Sequence, residues 1–308
     1  MKRYYRVMLG KNSMYADQCA QENFIGADYG IQDNLAGKLP EDWREFNRKF
    51  IPIFLEAHPG KTRVGAGLSC GALWTLCKGM LNGDIVLCPD GAKRYRVGQI
   101  AGDYKYAADK ILPHRRPVTW LSKIIDRSDM SDDLRHSGGG PGAVRELTPY
   151  ADEIERLLVG SRGSTIISTD SSVENPGEFA MEKHLEDFLV ANWDNTELSK
   201  KYDIYVEDGE IVGQQYQTDT GPIDILAISK NKKELLVIEL KKGRSSDPVV
   251  GQIQRYMGYV KEELAEDGQE VRGLIIALSD DLKFKRALSV APSIEFCTYK
   301  VHFSLSKK

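Results

Sequence analysis

Hydrophobic positions along the chain follow two spacings, and each predicts a different element. Short apolar or alternating runs predict strands: YYRVML from Tyr4, GDIVLCPDG from Gly83, RYRVGQIAGDYKY from Arg94 and RRPVTWLSKI from Arg115. The second and third of these pair as an antiparallel hairpin around the Pro89–Gly91 turn. MYADQCAQENFIG from Met14 predicts a short helix feeding a strand. DWREFNRKFIPIFLEAH from Asp42 and CGALWTLCKGM from Cys70 have helical spacing.

The second half is more regular. EFAMEKHLEDFLVANW from Glu178 predicts an amphipathic helix with Phe179, Leu185, Phe188 and Leu189 on one face. Strands follow at GPIDILAIS from Gly221 and ELLVIELKKG from Glu234, separated by the polar turn KNKK. Then come a helix from Pro248, whose proline suits a first turn, a strand at VRGLIIAL, a helix at DDLKFKRALSVA and a last strand at IEFCTYKVHFSL. This succession predicts an α/β/α layer order. The Ser-, Gly-, Thr- and Asn-rich residues 158–177 predict a linker with a short strand at STIIS, between domains at 1–157 and 178–308. HSGGGPGAV from His136 predicts a turn; without a strand–GxxxxGK–helix setting it is not a phosphate loop.

Composition narrows the class. At 308 residues, 41% hydrophobic and 28% charged, the chain reads as globular with room for two cores. No apolar run reaches the roughly 18 residues of a membrane helix. The start has no secretory apolar core, so a cytoplasmic protein without membrane attachment is expected. The five cysteines include no CxxC pair, which argues against a disulfide framework or a zinc site. Through Gly160 there are 23 Lys and Arg against 20 Asp and Glu, a charge of +3; the remainder carries −6, giving the chain's −3. Neither half is basic enough to announce nucleic acid by composition.

The candidate chemistry lies in the second half. Asp224 interrupts an apolar strand, and Glu239 and Lys241, two apart on the next strand, leave one face of it. If the strands pair, two carboxylates and an amine converge. Such an oxygen-rich site suits Mg²⁺, with Mn²⁺ as a substitute, and a lysine there can orient or deprotonate an attacking water. An isolated ExK is ordinarily a solvated pair, but the next helix presents Gln252 and Tyr256 four residues apart on one face, with Arg255 beside them. That face can pair with a phosphate backbone.

From about Glu178 to Leu305 the sequence resembles the PD-(D/E)xK nuclease superfamily, and within it the catalytic domain of NucS-type endonucleases. The resemblance is carried by EKHLEDFL, GPIDILAI, LLVIELKKGRSSDPVVGQIQRYMGYVKE and VRGLIIAL. It implies a restriction-endonuclease-like α/β/α domain with Asp224 and Glu239 as metal ligands and Lys241 as the catalytic lysine. Gln252 and Tyr256 become supporting residues, and Glu182 the first-helix acid, with Glu186 as its alternative.

The first half does not resemble the amino-terminal region of NucS proteins. GDIVLCPDG…RYRVGQIAGDYKY…HRRPVTWL is similar to the amino-terminal region of some Mrr-like restriction nucleases and, more loosely, to PUA/EVE-type barrels that read modified bases. An α+β recognition domain is thereby implied. Trp74, Tyr104, Tyr106 and Trp120 are the expected stacking residues, with Phe24, Asp28 and Tyr29 as further candidates. Lys93, Arg94, Arg96, Arg115 and Arg116 are the expected phosphate contacts. His114 is expected at the surface beside two arginines. Together these readings predict a metal-dependent DNA endonuclease of a restriction or defence setting, with modified DNA as a candidate target. The alternatives are a repair nuclease for mismatched, branched or single-stranded DNA, or a non-catalytic nucleic-acid-binding protein. Cutting both strands requires two sites, hence a homodimer.

Overall fold

The computed structural model describes residues 2–140, 142–159, 185–207 and 209–299. The chain forms two compact units, Met1–Pro176 and Gly177–Lys308. The strand expected at STIIS, Phe179 and Glu182 lie outside the described residues.

The N-terminal unit contains β1 (Tyr4–Val7), α1 (Ala16–Gln21), β2 (Phe24–Ala27), α2 (Trp43–Ala57), α3 (Arg63–Trp74), β3 (Ile85–Pro89), β4 (Arg94–Ile100), β5 (Lys105–Tyr106), β6 (His114–Asp126), α4 (Asp132–Gly139), β7 (Val144–Glu146) and α5 (Ala151–Val159). Strand order is β2-β6-β4-β3-β1-β7, with β5 alongside β6. β1 and β3 are parallel and the other ladders antiparallel. Period-two alternation decides which core each side chain enters. Tyr5, Val86 and Cys88 pack with α1, α2 and α3, whereas Tyr4, Ile85 and Leu87 pack with α4 and α5.

Three expectations for this unit are corrected. Among the described residues no ladder joins β7 to β2, so the sheet stays open where a barrel was expected. His136–Gly139, expected in a turn, closes α4, whose N-cap Ser131 accepts a hydrogen bond from the Leu134 amide. The third helix begins at Thr62, which caps it by accepting from Gly65, well before the expected Cys70.

The C-terminal unit follows the expected layer order. A helix described over 185–191, α6, precedes β8 (Tyr202–Ile204), β9 (Val206–Glu207), β10 (Glu210–Ile211), β11 (Gln214–Thr218), β12 (Gly221–Ser229), β13 (Glu234–Arg244), α7 (Asp247–Tyr259), β14 (Glu270–Ser279), α8 (Leu282–Ser289) and β15 (Ile294–Thr298). The sheet order is β11-β12-β13-β14-β15, with β8 also on β12. β13, β14 and β15 are parallel, and β11 and β12 run against their neighbours.

The central strand β13 is buried on both faces, which explains its unbroken apolar run Leu235–Ile238. Leu236, Ile238 and Leu240 pack with Leu185, Leu189 and Val190 of α6. Phe188, expected on that apolar face, is instead 63% exposed. A side chain at Gly273 would meet Ile253 and Met257, so α7 lies close over β14 on the other face. Residues 198–220, to which the hydrophobic pattern assigns nothing, supply four short strands.

Candidate active site

The site is set by the register of three strands and two helices. β12 and β13 pair with Ile225 opposite Ile238, so the next step places Asp224 opposite Glu239. Odd-numbered β13 residues leave the face opposite the Leu236–Ile238 core, and Lys241 joins Glu239 there. Lys241 Nζ lies 2.9 Å from Glu239 Oε1, and Glu239 is only 2% exposed. The Leu240 amide donates to Asp224 Oδ2 at 2.7 Å, tying the acid to the backbone of the neighbouring strand.

Helix α7 closes the site. Gln252 Nε2 donates to the Tyr256 hydroxyl at 3.3 Å, as their i,i+4 spacing predicts. Burial pushes the Tyr256 phenol above its ordinary range; the charges of Glu239 and Asp224 raise it further, and Lys241 opposes them. The buried phenol therefore senses all three candidate catalytic groups. Gly221 makes room for it: its φ is +122°, and a Cβ there would stand 3.0 Å from the hydroxyl. Arg255, beside them in sequence, is exposed.

The third acid comes from α6. Glu186 is 2% exposed. Burial pushes its carboxyl up to about 8, with the Asp224 charge adding to the rise and hydrogen bonds from Gln214 and Gln215 opposing it. Gln214 Nε2 reaches Glu186 Oε1 and Asp187 Oδ1, each at 2.8 Å. Gln215 Nε2 donates to Glu186 Oε2 and, at 3.3 Å, to Asp224 Oδ1. Of the two first-helix acids weighed from sequence, Glu186 is thus beside Asp224, and Glu182 lies outside the described residues. Both glutamines escape sequence reasoning, because β11 is a polar edge strand; the QQ pair nine residues before Asp224 is the only trace.

Among the described residues, no group of three or more His, Cys, Asp or Glu side chains is spaced to hold a metal ion. Asp224 and Glu239 nonetheless make a two-carboxylate donor pair. That fits an ion such as Mg²⁺, which takes one or two carboxylates and keeps several waters. The mutual repulsion expressed at Glu186 is what a cation relieves.

The N-terminal candidates do not assemble into a second site. His114, expected at the surface, is fully buried: its Nε2 is 2.7 Å from the Ile31 carbonyl and its Nδ1 2.9 Å from the Tyr104 hydroxyl. Tyr104 also accepts from the Leu35 amide, and Tyr106 donates to the Gln32 carbonyl at 2.6 Å. Trp74 donates to the Pro40 carbonyl at 3.0 Å, and Trp120 packs over Gly98. These aromatics pin the segment between β2 and α2 or fill the core. Arg116 is 3% exposed, and donates to the carbonyls of Gly102, Leu76 and Met80. Arg115 lies 3.8 Å over the Phe24 ring and donates to the Leu112 and Ile111 carbonyls. Arg94 pairs with Asp90 and Arg96 with Asp17. Arg115 and Arg116 are thus engaged within their own unit, whereas Lys93 and Arg94 are exposed.

An acid pair on adjacent strands, a lysine two residues on, and a Gln–Tyr helix across the site fit the PD-(D/E)xK-like fold. The domain is of the NucS type: residues 181–296 match the family described as Endonuclease NucS C-terminal domain. Residues 5–137 match a different family, a domain of unknown function (DUF8426). Endonuclease NucS of Methanocaldococcus jannaschii is 33% identical over 95 residues, covering 27% of this chain and 35% of that protein. Endonuclease NucS of Sulfolobus acidocaldarius is 33% identical over 112 residues, covering 35% and 38%. The alignments thus span little more than a third of these relatives' own length. A solved EndoMS–dsDNA complex aligns at 16% identity and a TM-score of 0.32, covering 67% of this chain and 61% of that one. Among the described residues, no helix is long and apolar enough to cross a membrane.

Proposed function

We propose that this protein is a divalent-metal-dependent DNA endonuclease whose C-terminal unit hydrolyses a phosphodiester bond. The observation that carries the reading is the meeting of Asp224, Glu239 and Lys241 on one face of a NucS-type domain. Asp224 and Glu239 would hold the ion, Mg²⁺ or Mn²⁺, which when bound supplies positive charge for the developing phosphorane and acidifies its water. Lys241 Nζ, anchored by Glu239 Oε1, orients the attacking water and offsets the negative charge that develops on the phosphate. Gln252 and Tyr256 offer hydrogen bonds to the phosphate, and the exposed Arg255 adds charge next to them.

The shared stretch with the NucS relatives is the nuclease domain, and the N-terminal unit matches a separate family. This supports a target chosen by that unit. With its aromatics engaged in packing, structure-directed cleavage of mismatched, branched or single-stranded DNA is preferred over reading of a modified base. Restriction of modified DNA is the second reading, and cleavage of both strands would call for a homodimer. With Mg²⁺, the purified chain is expected to cut DNA. Glu239→Ala or Lys241→Ala should each lower the rate roughly 10²–10⁴-fold while folding and DNA binding persist. Undiminished cleavage by either variant sinks the assignment. A panel of mismatched, branched, single-stranded, methylated, hydroxymethylated and plain substrates separates the two readings of the target.

A further inference from the structure

Successive strand residues face opposite sides of a sheet, so Gln214 and Gln215 should not serve one carboxylate. They do, because the backbone of Gln215, the second residue of β11, is left-handed, with φ +51°. The ladder brackets it, Gln214 pairing with Ile225 and Tyr216 with Ile223, which leaves Gln215 opposite Asp224. From there its Nε2 meets Glu186 Oε2 on the helix and Asp224 Oδ1 on the neighbouring strand. Only the donor end of the amide can face two carboxylates, since its oxygen would repel both. A non-glycine residue in this backbone region is strained, and strain maintained next to a site commonly serves it.

We propose that Gln215 is a positioning residue for the metal site: its amide clamps Glu186 against Asp224, setting the separation of the two acids before the cation arrives. The proposal rests on the reading of this site as a metal-dependent nuclease centre. Two carboxylates drawn together repel, and without a donor between them Glu186 would turn away and the ion would meet a looser donor set. Residues that orient metal ligands typically account for about 10–100-fold in metal affinity, and Gln215 is assigned that share. Its amide contacts the two acids, so its loss acts on metal binding rather than on the chemical step.

The test uses the metal-stripped full-length chain titrated with Mg²⁺ alone by calorimetry, with melting in chelator as the control for folding. Gln215→Gly removes the clamp and accepts a positive φ without strain. Its melting temperature should hold or rise while its Mg²⁺ affinity falls roughly 10–100-fold. In cleavage assays its metal requirement should rise while the rate at saturating Mg²⁺ returns toward wild type, a split that Lys241→Ala does not show. Gln215→Asn, whose side chain tolerates a left-handed backbone but is one methylene shorter, should bind Mg²⁺ weakly as well, and it decides the matter if the glycine variant does not fold. Wild-type Mg²⁺ affinity in a folded variant overturns the proposal alone. A wild-type chain that neither binds Mg²⁺ nor cuts DNA overturns the nuclease reading, and the proposal falls with it.

Discussion

The two units bury charge in opposite ways. In the N-terminal unit the buried ionisable groups are matched to their surroundings: Arg116 spreads its donors over four carbonyls, and His114 sits between the Ile31 carbonyl and the Tyr104 hydroxyl. In the C-terminal unit Glu186, Asp224 and Glu239 are gathered together, and the fold offsets their repulsion with two glutamine amides, one backbone amide and one lysine. Complementary burial holds a fold together. Crowded like charge opposes folding and persists where chemistry uses it. The contrast separates polar groups that hold the fold together from those proposed to act in catalysis, without reference to residue type.

The largest expected effect on stability falls in the N-terminal unit. Arg116→Ala strands the carbonyls of Leu76, Gly102 and Met80, each worth about 1–3 kcal/mol when left unsatisfied in a buried setting. A loss on the order of 3 kcal/mol or more should appear as a lower melting transition and faster hydrogen exchange in β6 and the residues before β3. Arg116→Lys keeps the charge without the planar fork and should recover little. If Arg116→Ala instead leaves stability intact and weakens DNA binding, Arg116 is the phosphate contact that its sequence context suggests, and the comparison breaks.

Acidity should move the two units in opposite directions. Burial holds His114 below its ordinary 6.5, with the Ile31 carbonyl and the Asp28 charge partly opposing the shift. Its contribution is therefore intact above that value and lost as pH falls, because the unfolded chain takes the proton first. Glu186 is raised from 4.5 to about 8. The folded C-terminal unit then holds the proton more tightly, and its metal-free stability should decline as pH rises through that interval. Each pKa unit corresponds to about 1.4 kcal/mol. Hydrogen exchange resolved by unit, in chelator and across this range, should show slopes of opposite sign. Parallel slopes would remove the electrostatic distinction between the units.

How much of this was legible in the sequence follows the same division. β12, β13 and α7 announce themselves through apolar runs and a first-turn proline, and Asp224, Glu239, Lys241, Gln252 and Tyr256 come with them because strand and helix periods fix their faces. Gln215 was not legible: its strand is polar, and its left-handed backbone breaks the period on which the reading depends. Glu182 and Glu186 stand four apart in sequence, and the contact with Gln214 and Gln215 singles out Glu186. In β6, His114 and Arg116 occupy the inward phase of the alternation, yet their polarity reads as surface. Polar residues at buried phases need tertiary partners to be interpreted, and a single chain does not name them.

The smallest effects come from two glycines that perform the same service in different units. Gly98 lets Trp120 lie flat on β4; an alanine Cβ would stand 3.1 Å from Trp120 Cε3 and 3.3 Å from Val86 Cγ2. Such overpacking costs about 1–3 kcal/mol, so Gly98→Ala should lower the melting temperature of the N-terminal unit and leave the cleavage rate on a permissive substrate unchanged. Gly221→Ala meets the Tyr256 hydroxyl at 3.0 Å with φ held at +122°. Its strain is also about 1–3 kcal/mol, but the atom displaced is a site atom bonded to Gln252, so cleavage should fall along with stability. Measured at a temperature where both variants are fully folded, only Gly221→Ala should slow cleavage. Equal slowing by both would mean that packing in the N-terminal unit reaches the catalytic atoms, and the division between a unit built for stability and a unit built for chemistry would fail.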